Sequence, residues 1–339
     1  MREPLPPRNS NSLIERQSMR VVTASQYGPP EVLHCEDRPT PEPKPDEVIV
    51  SVEAAGINLM DTYLRRGYHP SFKPPLALGV DGAGSVTAVG EQATAKVGDR
   101  VAWELVPGSY AEMVAVPCER LVTVPDSVSF ESAAGGLMQA MTAQYLCCVA
   151  VDISKDAVVL VHSAGSGVGR MLTQLATHLG ARVIATVSRA HKASSAQDAG
   201  AWQVLVRDEI DDLAGAIQQL VNGKGVDLVF DGTGKTLFET SLSVLRVGGT
   251  FVTYGYAGGH IPPVSLWEQP HGVRLLPIKA NGPELTAGQW RERAHQVMQW
   301  IKDGTLDVLI DRSYSLEDAA LAHRDLESQE TVGKLLLIP

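Results

Sequence analysis

Between Ala157 and Gly255 short apolar runs alternate with amphipathic ones, and few architectures accommodate that rhythm. The runs AVVLVH, ARVIATV, WQVLV, GVDLVFD and TFVTYG predict strands, and GRMLTQLATHLG, AHKASSAQDAG, EIDDLAGAIQQLV and TLFETSLSVLRVGG predict the helices between them. A strand that reaches its neighbour through a helix runs parallel to it. Sheets of this kind are covered on both faces, so their strands read as continuous apolar runs and not as alternating ones. The fold class expected here is α/β, with a doubly wound parallel sheet.

The first strand leads into the stretch Ala164-Gly165-Ser166-Gly167-Val168-Gly169, and a helix is expected from about Val168. A glycine-rich turn between a strand and a helix directs backbone N–H groups and the positive end of the helix dipole at one point. That arrangement suits a pyrophosphate. Ser166 stands where the second glycine of a dinucleotide fingerprint usually lies, and Gly165 and Gly167 keep the turn permissive. An NAD site places Asp or Glu about 20 residues past the loop to hold the ribose 2′-hydroxyl. Here that distance ends at Ser188, followed by Arg189, His191 and Lys192. The cations suit a 2′-phosphate and predict NADPH; the alternative for Arg189 and Lys192 is a solvated helix start.

Either side of this block the texture changes. Residues 1–18 are polar with three prolines and read as a flexible extension, and VIVSVE opens a β-rich portion that lasts to about Val124. SFESAAGGLMQAMTAQYLCCV predicts one or two helices. GQWRERAHQVMQWIKDG predicts an amphipathic helix closed by Gly304, SLEDAALAHRDLE carries a Ser315/Asp318 capping-box spacing, and KLLLIP reads as a strand. The boundaries that follow are 1–18 for the extension, 19–143 for a β-rich domain, 144–280 for the doubly wound domain, and 281–339 for a segment returning to the first domain.

A net charge of −10 disfavours nucleic acid and anionic membrane as partners. No apolar run approaches the roughly 20 residues that cross a bilayer, and the first 18 residues lack the apolar core of a signal peptide, so the expected location is cytoplasmic. Cys35, Cys118, Cys147 and Cys148 show no Cys-x-x-Cys spacing and read as reduced, packed thiols.

Seven stretches in order, YGPPEVL, GINLMDTYLRRG, LGVDGAG, VGDRV, AGSGVG, GVDLVFDGTG and GKLLLIP, resemble the zinc-independent medium-chain dehydrogenase/reductases of the quinone oxidoreductase (zeta-crystallin) family. The resemblance implies a GroES-like catalytic domain holding a Rossmann domain. It also implies a homodimer formed through an edge strand of the Rossmann sheet, for which TFVTYG and the following AGGHIPPVSL are the expected source. Zinc-dependent relatives carry Cys at the position of Asn58 and Gly-His-Glu at Gly79-Val80-Asp81, together with a run of four cysteines. Asn58 and Val80 cannot replace thiolate and imidazole, so no metal is expected.

The implied reaction is hydride transfer from NADPH to a quinone or another α,β-unsaturated carbonyl. An enoyl-thioester or enone reductase is the first alternative, and a catalytically silent NADPH-binding structural protein is the alternative from another class. On the acceptor side the resemblance points to Asn58, Asp61 and Tyr63. Asn58 can donate to a carbonyl oxygen, Tyr63 can donate or stack, and for Asp61 the favoured reading is a helix N-cap. Relatives have Gly-x-Tyr-Pro where this chain has Gly67-Tyr68-His69-Pro70, which makes Tyr68 and His69 candidate proton donors. By the same resemblance Thr142 lies beside the nicotinamide, Gln139 faces the cleft, Arg207 replaces a tyrosine near the adenosine phosphate, and Lys334 approaches the cofactor. For a lysine at a strand end, solvation is the alternative.

Overall fold

The computed structural model describes residues 18–69, 71–265, 267, 272–278 and 285–339. Residues 1–17 of the expected extension, Pro70, Leu266 and the 280/281 boundary lie outside them, and Ser18 already begins the strand Ser18–Ala24.

The central block forms one sheet of six parallel strands, in the order Gln203–Val206, Arg182–Val187, Val158–Val161, Val226–Asp231, Leu245–Thr253, Arg274–Pro277. Chain direction across the sheet reverses at Val158–Val161, and the glycine loop leaves the carboxyl end of that strand. Alternate side chains supply two separate cores. Val159, Val161, Ala185 and Phe230 point into one, and Val158, Leu160, Ile184 and Val229 into the other. All eight are buried, which is the reason the strands carry no polar alternation.

Two expectations change here. The predicted helix over 236–249 ends early: it spans Phe238–Ser243, and Leu245–Thr253 is strand. Gly248 sits at φ +79, a left-handed conformation that no helix continues through, and Val226 pairs with Leu245. That strand is also internal. Thr250, Phe251, Val252 and Thr253 pair with Arg274–Pro277 on their outer side, so the edges among the described residues are Arg274–Pro277 and Gln203–Val206, and not TFVTYG.

The other domain is built around the eleven-residue strand Glu47–Ile57, which pairs antiparallel with Asp81–Val89, Met113–Pro117 and the C-terminal strand Lys334–Ile338. Leu335, Leu336 and Leu337 face Ile57, Gly56 and Ala55, so the last residues close the sheet that the first hundred began. The helix Phe130–Tyr145, capped by the Ser129 hydroxyl, runs on into a single π turn over Leu146–Ala150. Its Gly135 and Gly136 let Val308 and Ile301 approach closely. The helix Ala287–Asp303 starts at a Thr286/Gln289 capping box and stops at Gly304, φ +79. The Ser315/Asp318 spacing forms a 3-10 turn, Leu316–Asp318, and the α-helix follows as Ala319–Glu327.

Glu104 is buried, accepts a 2.8 Å hydrogen bond from the Trp290 indole, and is pushed up to about 7, chiefly by loss of water. Its carboxyl holds its proton in the folded chain over a pH range where the unfolded chain has released it. Stability therefore falls as pH rises from about 4.5 to about 7. Denaturant titrations across that range should show the decline in the native chain and a flatter profile in Glu104→Gln. Phe230→Ala, at the centre of the parallel sheet, is expected to lower stability by about 3–5 kcal/mol in the same measurement.

Candidate active site

The glycine loop begins at His162, fully buried, with Nδ1 2.8 Å from Thr186 Oγ1 and Nε2 3.1 Å from Ser241 Oγ. Burial, with the Arg207 charge as the second cause, lowers it to about 3, so it is a neutral packing group. Ser163 follows at φ +54, and Ala164 is pinned by its N–H to the Thr186 carbonyl. Ser166 has a local reason to be serine. It is the N-cap of the helix Gly167–His178, its Oγ accepts from the Gly169 N–H at 3.2 Å, and it is exposed. A Cβ on Gly169 would lie 2.2 Å from the Ser163 carbonyl oxygen, and one on Gly165 would lie 3.1 Å from Lys192 Cβ. The loop is thus packed tightly beneath and capped at the helix start. Gly167 and Val168 occupy the first helical positions, whose N–H groups have no partner within the helix. A pyrophosphate fits that geometry.

At the end of the strand Arg182–Val187, Ser188 is half-buried and Arg189 exposed. Arg189 meets Asp208 at 3.1 Å and Glu330 at 3.4 Å. From sequence this corner held only cations; the fold brings two carboxylates to it, one from the next strand's end and one from the C-terminal segment. Lys192 is buried and donates from Nζ to the Gln329 carbonyl. Arg207 is half-buried, and its Nε has no hydrogen-bond partner among the described residues. The unpartnered Arg207 Nε and the ion-paired Arg189 both suit a dianionic group on an adenosine ribose.

On the other side of Gly165, the Gly333 N–H donates to the Gly165 carbonyl at 2.8 Å, and the next residue is Lys334. Lys334 is buried, not solvated, with Nζ 2.6 Å from Asn58 Oδ1 and 3.5 Å from Asp81 Oδ2. An ammonium only donates, so the oxygen of Asn58 must face it, and Asn58 Nδ2 is left to donate to Asp81 Oδ1 at 2.7 Å. The Gln139 amide lies within 2.7 Å of Asn58 Oδ1. The amide of Asn58 is therefore held from both ends by the protein. Burial lowers the Lys334 pKa, while Asp81 opposes that shift.

Asp61 is not the N-cap. The helix is Leu59–Arg65 and its N-cap is Asn58; Asp61 is the third helical residue, and its Oδ2 takes the Asn58 N–H at 2.8 Å to complete a capping box. Both residues favour caps, and the helix starts at the earlier one. Asp61 also accepts from the Gly79 N–H and the Tyr110 hydroxyl, and desolvation, then the Asp81 charge, pushes it up to about 7. Behind it Arg65 donates to His323 Nδ1 at 2.9 Å, which leaves Nε2–H of His323 to face Tyr110 at 3.1 Å. Asp61 is fully buried, and its carboxyl oxygens face the Asn58 and Gly79 N–H groups and the Tyr110 hydroxyl.

Tyr63 is half-buried and stacks on Tyr256 from the Rossmann domain, with centroids 4.8 Å apart and planes 18° apart; Tyr256 stacks in turn on His260 at 4.3 Å. Burial pushes Tyr63 up to about 12, so its O–H stays protonated near neutrality. Tyr68 is exposed and lies 6.1 Å from Tyr63, His69 is half-buried, and Thr142 is half-buried with its hydroxyl turned back to the Met138 carbonyl at 3.0 Å. Tyr256, His260 and Glu330 carry no local sequence signal for this site, because only tertiary folding brings them here. Val80 is packed in the apolar core, and among the described residues no group of three or more His, Cys, Asp or Glu side chains can hold a metal ion.

A parallel sheet with a serine-capped glycine cradle, joined to an antiparallel domain whose Tyr63 stacks on Tyr256 across the junction, defines a two-domain nucleotide-dependent oxidoreductase. Residues 44–126 match the alcohol dehydrogenase GroES-like domain and residues 167–279 the zinc-binding dehydrogenase domain. The chain is 35% identical to a quinone oxidoreductase of Pseudomonas aeruginosa over 94% of its own length and 99% of the other's. It is 32% identical to a 2-haloacrylate reductase of a Burkholderia species over 92% and 96%. Among solved structures it is similar to Escherichia coli quinone oxidoreductase complexed with NADPH, with a TM-score of 0.90, 33% identity, and coverage of 94% of this chain and 100% of that one. The chain belongs to the quinone oxidoreductase family of medium-chain dehydrogenase/reductases.

Replacing Lys334 by Met leaves Asp81 as a buried carboxylate without its cation. Urea titration of Lys334→Met should show a loss of about 3–5 kcal/mol, much of it recovered when Asp81→Asn is added.

Proposed function

We propose that this protein is an NADPH-dependent reductase that transfers hydride, without zinc, to a quinone or another α,β-unsaturated carbonyl. One observation carries the reading: the dipeptide Gly333-Lys334 is bonded to Gly165 of the cradle on one side and to Asn58 of the acceptor cleft on the other. A cofactor held by the cradle is thereby set against the cleft that holds Tyr63. Bound there, NADPH would supply the hydride.

The chain's own residues supply the rest. Gly165 to Gly169 receive the pyrophosphate, and Ser188, Arg189, Lys192 and Arg207 receive the adenosine ribose and its 2′-phosphate. Tyr63, protonated because burial pushes it up to about 12, donates its O–H to the acceptor oxygen as charge develops there, and its stack on Tyr256 holds the ring in place. His69 supplies a proton as the reduced acceptor forms. Asn58 is a positioning residue, fixed by Lys334 and Asp81, and Thr142 borders the nicotinamide. The enone or enoyl-thioester reading is favoured by the likeness to a 2-haloacrylate reductase.

The finer proposals are a homodimer that pairs along the edge strand Arg274–Pro277, a cytoplasmic location, and a division into a catalytic domain of 19–143 with 281–339 and a Rossmann domain of 144–280. The acidic net charge supports small-molecule partners over nucleic acid.

Absorbance at 340 nm with NADPH and a panel of 1,4-benzoquinone, 9,10-phenanthrenequinone, an enone and a crotonyl thioester tests the reaction class. Quinone turnover is expected. Turnover of the enone or thioester alone would select the second reading, and tight NADPH binding with no turnover would overturn both. Tyr63→Phe and His69→Ala should each lower kcat, by roughly 10–100-fold for Tyr63→Phe, while the NADPH dissociation constant stays close to that of the native chain.

A further inference from the structure

One short run of chain, Gln329 to Lys334, touches the cofactor cradle at Arg189, His191, Lys192 and Gly165. Lys192 Nζ donates to the Gln329 carbonyl, and His191 Nε2 lies 2.9 Å from the Glu330 carbonyl oxygen. The Glu330 carboxylate stands 3.4 Å from Arg189 Nε and 4.0 Å from His191 Nε2. Gly333 then bonds to Gly165, and Lys334 to Asn58. Gln329, at φ +61, and Gly333, at φ +76, turn the run across the cradle. The side chain of Glu330 is about half exposed, as are those of Arg189 and Asp208, and its carboxylate faces the Arg189 guanidinium.

We propose that Glu330 is a cofactor-specificity determinant that occupies, in the free protein, the place of the 2′-phosphate on Arg189. This rests on the NADPH reading above. Arg189 already holds two carboxylates, Asp208 and Glu330. A 2′-phosphate arriving at Arg189 and Lys192 must displace the Glu330 carboxylate, because a dianion beside an unmoved carboxylate is repelled. A nucleotide with a free 2′-hydroxyl brings no such charge and leaves the pair in place. Glu330 therefore lowers affinity for the phosphorylated nucleotide selectively and sets how strongly the protein prefers it.

The test uses nucleotide fragments without the nicotinamide, so that no hydride chemistry enters. Adenosine 2′,5′-bisphosphate and 5′-AMP are titrated calorimetrically into the native chain, Glu330→Gln, Arg189→Gln and the double variant. Neutralising Glu330 should tighten adenosine 2′,5′-bisphosphate by about two- to fivefold and leave 5′-AMP unchanged, an effect that disappears in the Arg189→Gln background. An unchanged or weakened bisphosphate affinity in Glu330→Gln, or a gain that persists without Arg189, would overturn the proposal. If the native chain binds the bisphosphate no more tightly than 5′-AMP, it is the NADPH reading that fails. Thermal unfolding of each variant separates a loosened fold from a changed charge.

Discussion

The antiparallel pairing of Lys334–Ile338 with Glu47–Ile57 is the constraint on which the rest of the arrangement depends. It returns the end of the chain to the first domain after the doubly wound block has been completed. The three-residue register of Leu335, Leu336 and Leu337 against Ile57, Gly56 and Ala55 fixes what comes before it: Lys334 under Asn58, and Gly333 on Gly165. A slip of one residue would turn the leucines to the opposite face of the sheet and take the lysine from the buried cluster. The relative position of cradle and cleft is thus set by strand register and not by loop length.

Within that frame the buried charges organise one another. Lys334 determines which end of the Asn58 amide faces which neighbour, Asp81 accepts from its Nδ2, and Asp61 holds the backbone of the same residue. Glycine at position 56 is required by this packing, since a Cβ there would come within 2.6 Å of the Asp81 carboxylate. Such a cluster is costly to desolvate and stable only when every member is paired. The pairing fixes the orientation of the Asn58 amide.

Much of the fold was legible because its signals are local. The doubly wound block follows from runs of five to seven residues, and the cradle from six consecutive positions whose turn chemistry can be read directly. The helix over 236–249 was overextended because a leucine- and valine-rich run suits either structure, and only the conformation of Gly248 separates them. Asp61 was assigned the cap that Asn58 takes, since two cap-forming residues three apart can each start a helix. The burial of Lys334 was hidden for a different reason: its partner Asn58 lies 276 residues away, and nothing near a terminal lysine announces a buried carboxylate across the sheet. The same holds for Glu330, whose meeting with Arg189 depends on the domain junction.

The most direct test of the account is the ratio of kcat/KM for NADPH to kcat/KM for NADH, measured at 340 nm with one saturating quinone. The cation-lined corner beyond Ser188 predicts a ratio well above one, falling toward one in Arg189→Gln with Lys192→Gln. A ratio at or below one in the native chain would mean that Asp208 and Glu330, rather than Arg189 and Lys192, govern the ribose site, and would contradict the assignment of NADPH as the cofactor.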